Sequence, residues 1–297
     1  MSKPIRFSLA LLALACFAAA LAAQEPAMTG PPKVLTIFRE YIKPLKSADH
    51  EKTEAAFARA YTAAKWPQHY LAFESLSGKP RVLFVGPYES MEAWEKDVHA
   101  QQKNQSLSAA LDRAARADSA NLDSADAFVL RYLEEYSRPS KRDLSKARYW
   151  TLTRFYVKPG HEMEFLQIAK AYKAAAEKDV PEGNWAMYSA MYGGPSGSFV
   201  LFEHSESGAE LDRQSAVEEK YMASMGGEGM KKIAELAAAS IESSESNLFA
   251  VNPRMSYPPA EWVKSDPEFW TPKNAAPPAA APPAASKDEE KKPAAKP

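Results

Sequence analysis

The chain has 297 residues, of which 45% are hydrophobic and 25% charged, with a formal net charge of −1. That length supports one to three domains and a sizeable core. The near-zero charge excludes the broad basic field that nucleic-acid binding needs.

Lys3 and Arg6 precede an apolar, Ala/Leu-rich run over residues 7–23, and Ala20-Leu21-Ala22 gives a small-x-small pattern before Gln24 and Glu25. This predicts a signal peptide over 1–23 and an exported protein, periplasmic or extracellular. Retention by an uncleaved signal, or by lipid on Cys16, is the alternative. Cys16 is the only cysteine, so cleavage would remove disulfide and thiolate chemistry from the mature chain. Residues 24–33 carry Pro26, Gly30, Pro31 and Pro32 and read as a linker.

Residues 34–42 (VLTIFREYI) are β-branched and aromatic, a strand ended by Pro44. Asp49 is the expected N-cap of a helix whose stripe is Ala56, Phe57, Ala60, Tyr61 and Ala64, stopped by Pro67. Residues 69–76 and 81–85 form a predicted hairpin around Ser77-Gly78-Lys79-Pro80. Ser90 caps one long helix to about residue 117, and 127–133 is a strand. The first unit, 34–136, therefore reads β-α-β-β-α-β. After a charged connector at 137–147, the order returns over 148–252. Strand 149–157 is followed by helix 161–178, with Phe165, Ile168, Ala169 and Tyr172 on its stripe. Strands 184–191 and 198–203 flank a Gly-rich turn. A long helix from Ser207, loosened near Gly226-Gly227-Glu228-Gly229, precedes strand 247–251. Residues 253–272 form a Pro-rich arm anchored by Trp262, Phe269 and Trp270. Residues 273–297 have no apolar stripe and read as a disordered Pro/Ala/Lys tail.

The duplication is visible in residues. Arg39-Glu40-Tyr41-Ile42-Lys43-Pro44 returns as Arg154-Phe155-Tyr156-Val157-Lys158-Pro159, and Ala58-Arg59-Ala60-Tyr61 as Ala169-Lys170-Ala171-Tyr172. Val82-Leu83-Phe84 aligns with Val200-Leu201-Phe202. A β-α-β-β-α-β unit gives an antiparallel sheet with both helices on one face. Its strands here are apolar on both sides, so the second face needs cover. The sequence predicts an α+β fold in which two tandem units cover each other as one pseudo-symmetric α/β barrel, an intramolecular pseudo-dimer, with a further homodimer left open. With its Val157-Lys158-Pro159-Gly160-His161-Glu162 opening, the chain resembles the dimeric α/β-barrel superfamily, including antibiotic-biosynthesis-monooxygenase-like and NIPSNAP-like domains with ferredoxin-like units. The resemblance implies a cavity between each sheet and its helices or loops. It leaves the chemistry open, because the fold hosts monooxygenases, haem enzymes, isomerases and proteins without known activity.

Arg39 and Tyr41 share one side of their strand, and Arg154 with Tyr156 matches them. Two Arg-Tyr sets suit an anionic small molecule; the plainer reading pairs each Arg with a carboxylate. His69 and His204 have no counterpart in the other unit and complete the candidate ligand-binding set, although a surface position is the plainer expectation for both. His50-Glu51 and His161-Glu162 open helices, where the histidines are expected to be solvated. No HxH, HxxxH or HExxH pattern occurs, so no metal is predicted. No cofactor is predicted either. His99, near Trp94, is the one weak haem candidate, and the strand Asn of haem-degrading relatives is missing. The functional expectation is a small-molecule-binding or structural barrel protein. A cofactor-independent oxygenase or isomerase, and an envelope interaction protein, are the alternatives.

Overall fold

Alternating side chains build the first strand, β1 (Val34–Ile42): Leu35, Ile37, Arg39 and Tyr41 point one way, and Thr36, Phe38 and Glu40 the other. The computed structural model describes residues 30–272, so the predicted signal, Cys16 and the tail from 273 lie outside the described residues. Helix α1 (Ser47–Ala64) starts three residues earlier than Asp49 would cap it; Asp49 sits in the first turn, ion-paired to Lys46 at 2.8 Å. Strands β2 (Leu71–Ser75) and β3 (Arg81–Tyr88) form the hairpin. The expected single long helix is two, α2 (Met91–Lys103) and α3 (Gln105–Asp118). Asn104 breaks it, because its side chain accepts from Leu107 N–H and caps α3. Strand β4 (Leu122–Tyr132) ends the first set.

The same order follows in β5 (Tyr149–Val157), α4 (Glu162–Lys178), β6 (Ala186–Tyr192), β7 (Ser198–Ser205), α5 (Gly208–Leu211), α6 (Gln214–Ser240) and β8 (Ile241–Val251). α6 kinks at Gly226, whose φ of 66° and ψ of 175° are not helical.

All eight strands close one antiparallel barrel in the order β1-β3-β2-β8-β5-β7-β6-β4. The halves join edge to edge, through β2–β8 and β4–β6, so each sheet's inner face meets the other's across a shared bore. Leu35, Ile37, Phe73, Leu83, Phe128, Leu130, Leu152, Val200, Phe202 and Phe249 fill the bore as one apolar cluster. Helices cover the outer faces, α1 against α3 and α4 against α6. Among the described residues, no helix is long and apolar enough to cross a membrane.

The C-terminal arm supplies two short helices, α7 (Ala260–Ser265) and α8 (Pro267–Trp270). Trp270 belongs to the bore cluster, with Trp262 and Phe269 packed against it. Arg148 ties the arm down by pairing with Asp266 and lying over the Phe269 ring at 3.7 Å. The arm thus stops the barrel at the end where β5 begins.

Candidate functional site

The predicted Arg-Tyr sets come together at the other end of the bore. β1 and β5 run parallel across the barrel, so Arg39, Tyr41, Arg154 and Tyr156 reach the same mouth. Arg39 is held by Asp126 through two hydrogen bonds of 2.8 and 2.5 Å. Arg39 and Arg154 both lie against the Phe128 ring, at 4.6 and 4.7 Å. Arg154 also donates to the Tyr156 hydroxyl at 3.2 Å. Arg81 enters the same cluster, 3.8 Å from Glu245. The carboxylate pairing expected of each Arg holds for Arg39; Arg154 packs on aromatic rings instead. The cavity behind them is about 30 Å³, lined by Ile37, Phe128, Leu152, Arg154 and Ser198 among others. That is room for about one water.

His69 and His204 do not join this mouth. His69 is half-buried, its ring 4.7 Å from that of Tyr257. His204 is 8% exposed, which corrects the surface position expected for it. It pairs in register with Trp150 beside the arm, their rings 5.4 Å apart. Burial, then the nearby Arg142, pushes its pKa down to about 4. His99 is exposed on α2.

A second polar site lies on the helix-covered face of the first half, and the sequence reading passed over it. Glu40 points outward from β1, because it alternates with Arg39 and Tyr41. The first two turns of α1 bring His50 and Glu54 over it, one helical turn apart. Asp118, the last residue of α3, closes the group. His50 is 2% exposed, Glu54 4% and Asp118 1%, which corrects the solvated position expected of His50. One ligand-type atom from each of Glu40, His50, Glu54 and Asp118 falls within 4.8 Å of all the others.

Asp118 Oδ1 accepts from His50 Nδ1–H at 3.0 Å, from Asn121 Nδ2 at 3.1 Å and from the Thr53 hydroxyl. Burial raises the Asp118 pKa, but these hydrogen bonds outweigh it and hold the group below its usual range. Asp118 is therefore an anion. It holds the His50 ring through Nδ1, leaving Nε2 to face the other carboxylates. That Nε2 stands 3.6 Å from Glu40 Oε2. Glu40 Oε2, His50 Nε2, Glu54 Oε1 and Asp118 Oδ2 are all buried without a hydrogen-bond partner. Burial pushes the Glu40 pKa up to about 7, with His50 opposing. Burial and then the Glu40 and Asp118 charges push Glu54 to about 9. One imidazole nitrogen and carboxylate oxygens are donors suited to a first-row divalent metal.

The second half resolves these positions differently. Register makes Phe155 the counterpart of Glu40 and Ala237 that of Asp118. Matching the His-Glu helix openings makes Phe165 the counterpart of Glu54. Phe155 and Phe165 pack at 5.1 Å, and Phe165 meets Phe199 at 4.7 Å. His161, the counterpart of His50, is half-buried, its Nδ1 3.5 Å from Glu164.

No protein-family model matches the chain, and no curated protein does. Solved structures of similar fold do. A candidate monooxygenase from Fusobacterium nucleatum subsp. nucleatum is 13% identical with a TM-score of 0.49, covering 75% of this chain and 94% of its own. An anthrone oxidase-like protein is 14% identical at a TM-score of 0.47, with 74% and 92% covered. Chlorite dismutase from Candidatus Nitrospira defluvii, in complex with imidazole, is 9% identical at 0.44, with 79% and 95% covered.

Proposed function

We propose that the protein is an exported, internally duplicated α/β barrel that works by binding a small ligand, with its two halves divided in role. The second half is scaffold. The first half is the working half, and its site is the Glu40-His50-Glu54-Asp118 group under α1, outside the bore. One observation carries this reading: equivalent positions hold a packed Phe155-Phe165 pair in one half and buried, unpartnered polar atoms in the other. Buried polar atoms without partners are destabilising by about 1–3 kcal/mol each. A fold that has an apolar solution in one half and keeps the polar one in the other is retaining it for use. The bore mouth supports binding less well, since its 30 Å³ cavity is far below the roughly 300 Å³ of a small-molecule site. The same size argues against turnover in the bore by an oxygenase or isomerase mechanism.

The test exchanges one solution for the other. Wild type and the double variant E40F/E54F are purified from the native envelope, and bound species are identified by mass spectrometry and elemental analysis. The reading expects a bound species in wild type that the double variant lacks, with the barrel intact by circular dichroism. A species retained by E40F/E54F but lost in an Arg154→Leu variant would move the site to the bore mouth.

A further inference from the structure

We infer that the ligand of this site is a single first-row transition-metal ion, held by Glu40, Glu54 and His50 Nε2, with Asp118 orienting the histidine. The inference rests on the placement of the site proposed above and adds the chemical class.

Three features carry it. The donor atoms converge within 4.8 Å of one another, so small side-chain adjustments bring them to the separations of at most about 4.4 Å that one ion with bonds of about 2.0–2.2 Å requires. His50 is 2% exposed, and its Nε2 lies 3.6 Å from Glu40 Oε2 without a hydrogen-bond partner. Buried ring nitrogens normally find a partner; unlike His204, whose nitrogens are also unpartnered, His50 has three carboxylates converging with it. Third, the far side of the ring is already arranged. Asp118 grips Nδ1–H, and Thr53 and Asn121 in turn hold Asp118, the outer support that metal-bound histidines characteristically have.

The donor set selects within the metals. An imidazole nitrogen with carboxylates suits Mn²⁺, Fe²⁺ or Zn²⁺, whereas Mg²⁺ and Ca²⁺ prefer an all-oxygen shell. All four residues are buried, and the three protein ligands leave a coordination position to be filled. The ion would bridge β1, α1 and the end of α3, clamping the two helices to the sheet where the second half uses Phe155 and Phe165.

The full chain, stripped with chelator, is titrated with Zn²⁺, Mn²⁺, Mg²⁺ and Ca²⁺ by calorimetry, and with Co²⁺ by visible absorption. The expected result is one equivalent of Zn²⁺ or Mn²⁺ per chain and at least tenfold weaker Mg²⁺ and Ca²⁺ binding. Glu54→Gln should weaken binding about 100-fold or more, and Asp118→Asn about 10–100-fold. His161→Gln, at the counterpart position, should leave binding unchanged. E40F/E54F should fold without metal and bind none, which keeps the test valid if single variants unfold. No saturable uptake, a preference for Ca²⁺ or Mg²⁺, or uptake indifferent to Glu54→Gln would overturn the inference. An organic ligand lost in E40F/E54F, with no metal bound, would sink the metal and leave the site's placement standing. A bound species or metal that ignores E40F/E54F would sink both.

Discussion

His204 illustrates what a single buried ring does to acid stability. Both of its nitrogens are buried without a partner, beside Trp150 and under the influence of Arg142 and Glu210. Its folded pKa, about 4, lies below the ordinary 6.5. Between those values the unfolded chain binds a proton that the fold refuses. Stability from this residue is therefore intact above pH 6.5, falls as pH drops toward 4, and is gone below that. The loss amounts to roughly 3 kcal/mol at most. His204→Gln should flatten the fall in Tm between pH 6.5 and 4.5 relative to wild type; an unchanged slope would show that the ring titrates normally. At this scale the sequence was partly legible. His204 stood out because it lacks a counterpart, but its depth did not show, since Trp150 and Arg142, which lie against it, are distant in the chain. The Glu40 group was illegible to motif reading because its members are scattered from β1 to the end of α3. Two signals were available. His50 and Glu54 are four apart on a helix, and Glu40 interrupts a repeated stretch where the second copy has Phe155.

The elements were read mostly correctly because their apolar periods are strong, and the misreadings have local causes. Asn104 ended a helix by side-chain capping that no hydrophobic pattern announces. The pairing of 82–84 with 200–202 slips by one residue. In register, Leu83 faces Arg39 as Val200 faces Arg154, and a slip of one exchanges inward and outward faces. The arm gives the clearest prediction at this scale. Trp270 is 4% exposed, fills the end of the bore and donates from Nε1 to the Ser145 carbonyl at 3.2 Å. Trp270→Ala should destabilise the protein by about 3–5 kcal/mol in urea unfolding. A loss below about 1 kcal/mol would mean that the arm rests on the barrel without closing it.

Across the whole molecule, the expectation that the two units cover each other's apolar faces is met by a closed barrel. The sequence could predict that cover was needed, because β5 is apolar on both sides. It could not reveal that cover comes through hydrogen-bonded seams, since edge pairing leaves no pattern in either strand. The seams carry a consequence for folding. Each half's inner face is buried mainly by the other, so heat or urea should unfold the described body in one cooperative transition. Two separated transitions, one per half, would show that each sheet is stable alone. The division of labour between halves is the larger claim, and a metal count addresses it most directly. Protein isolated from its native cells without chelator should carry close to one equivalent of manganese, iron or zinc per chain by elemental analysis, and E40F/E54F prepared identically should carry none. Equal metal in both preparations, or none in wild type even after exposure to these ions, would contradict the account.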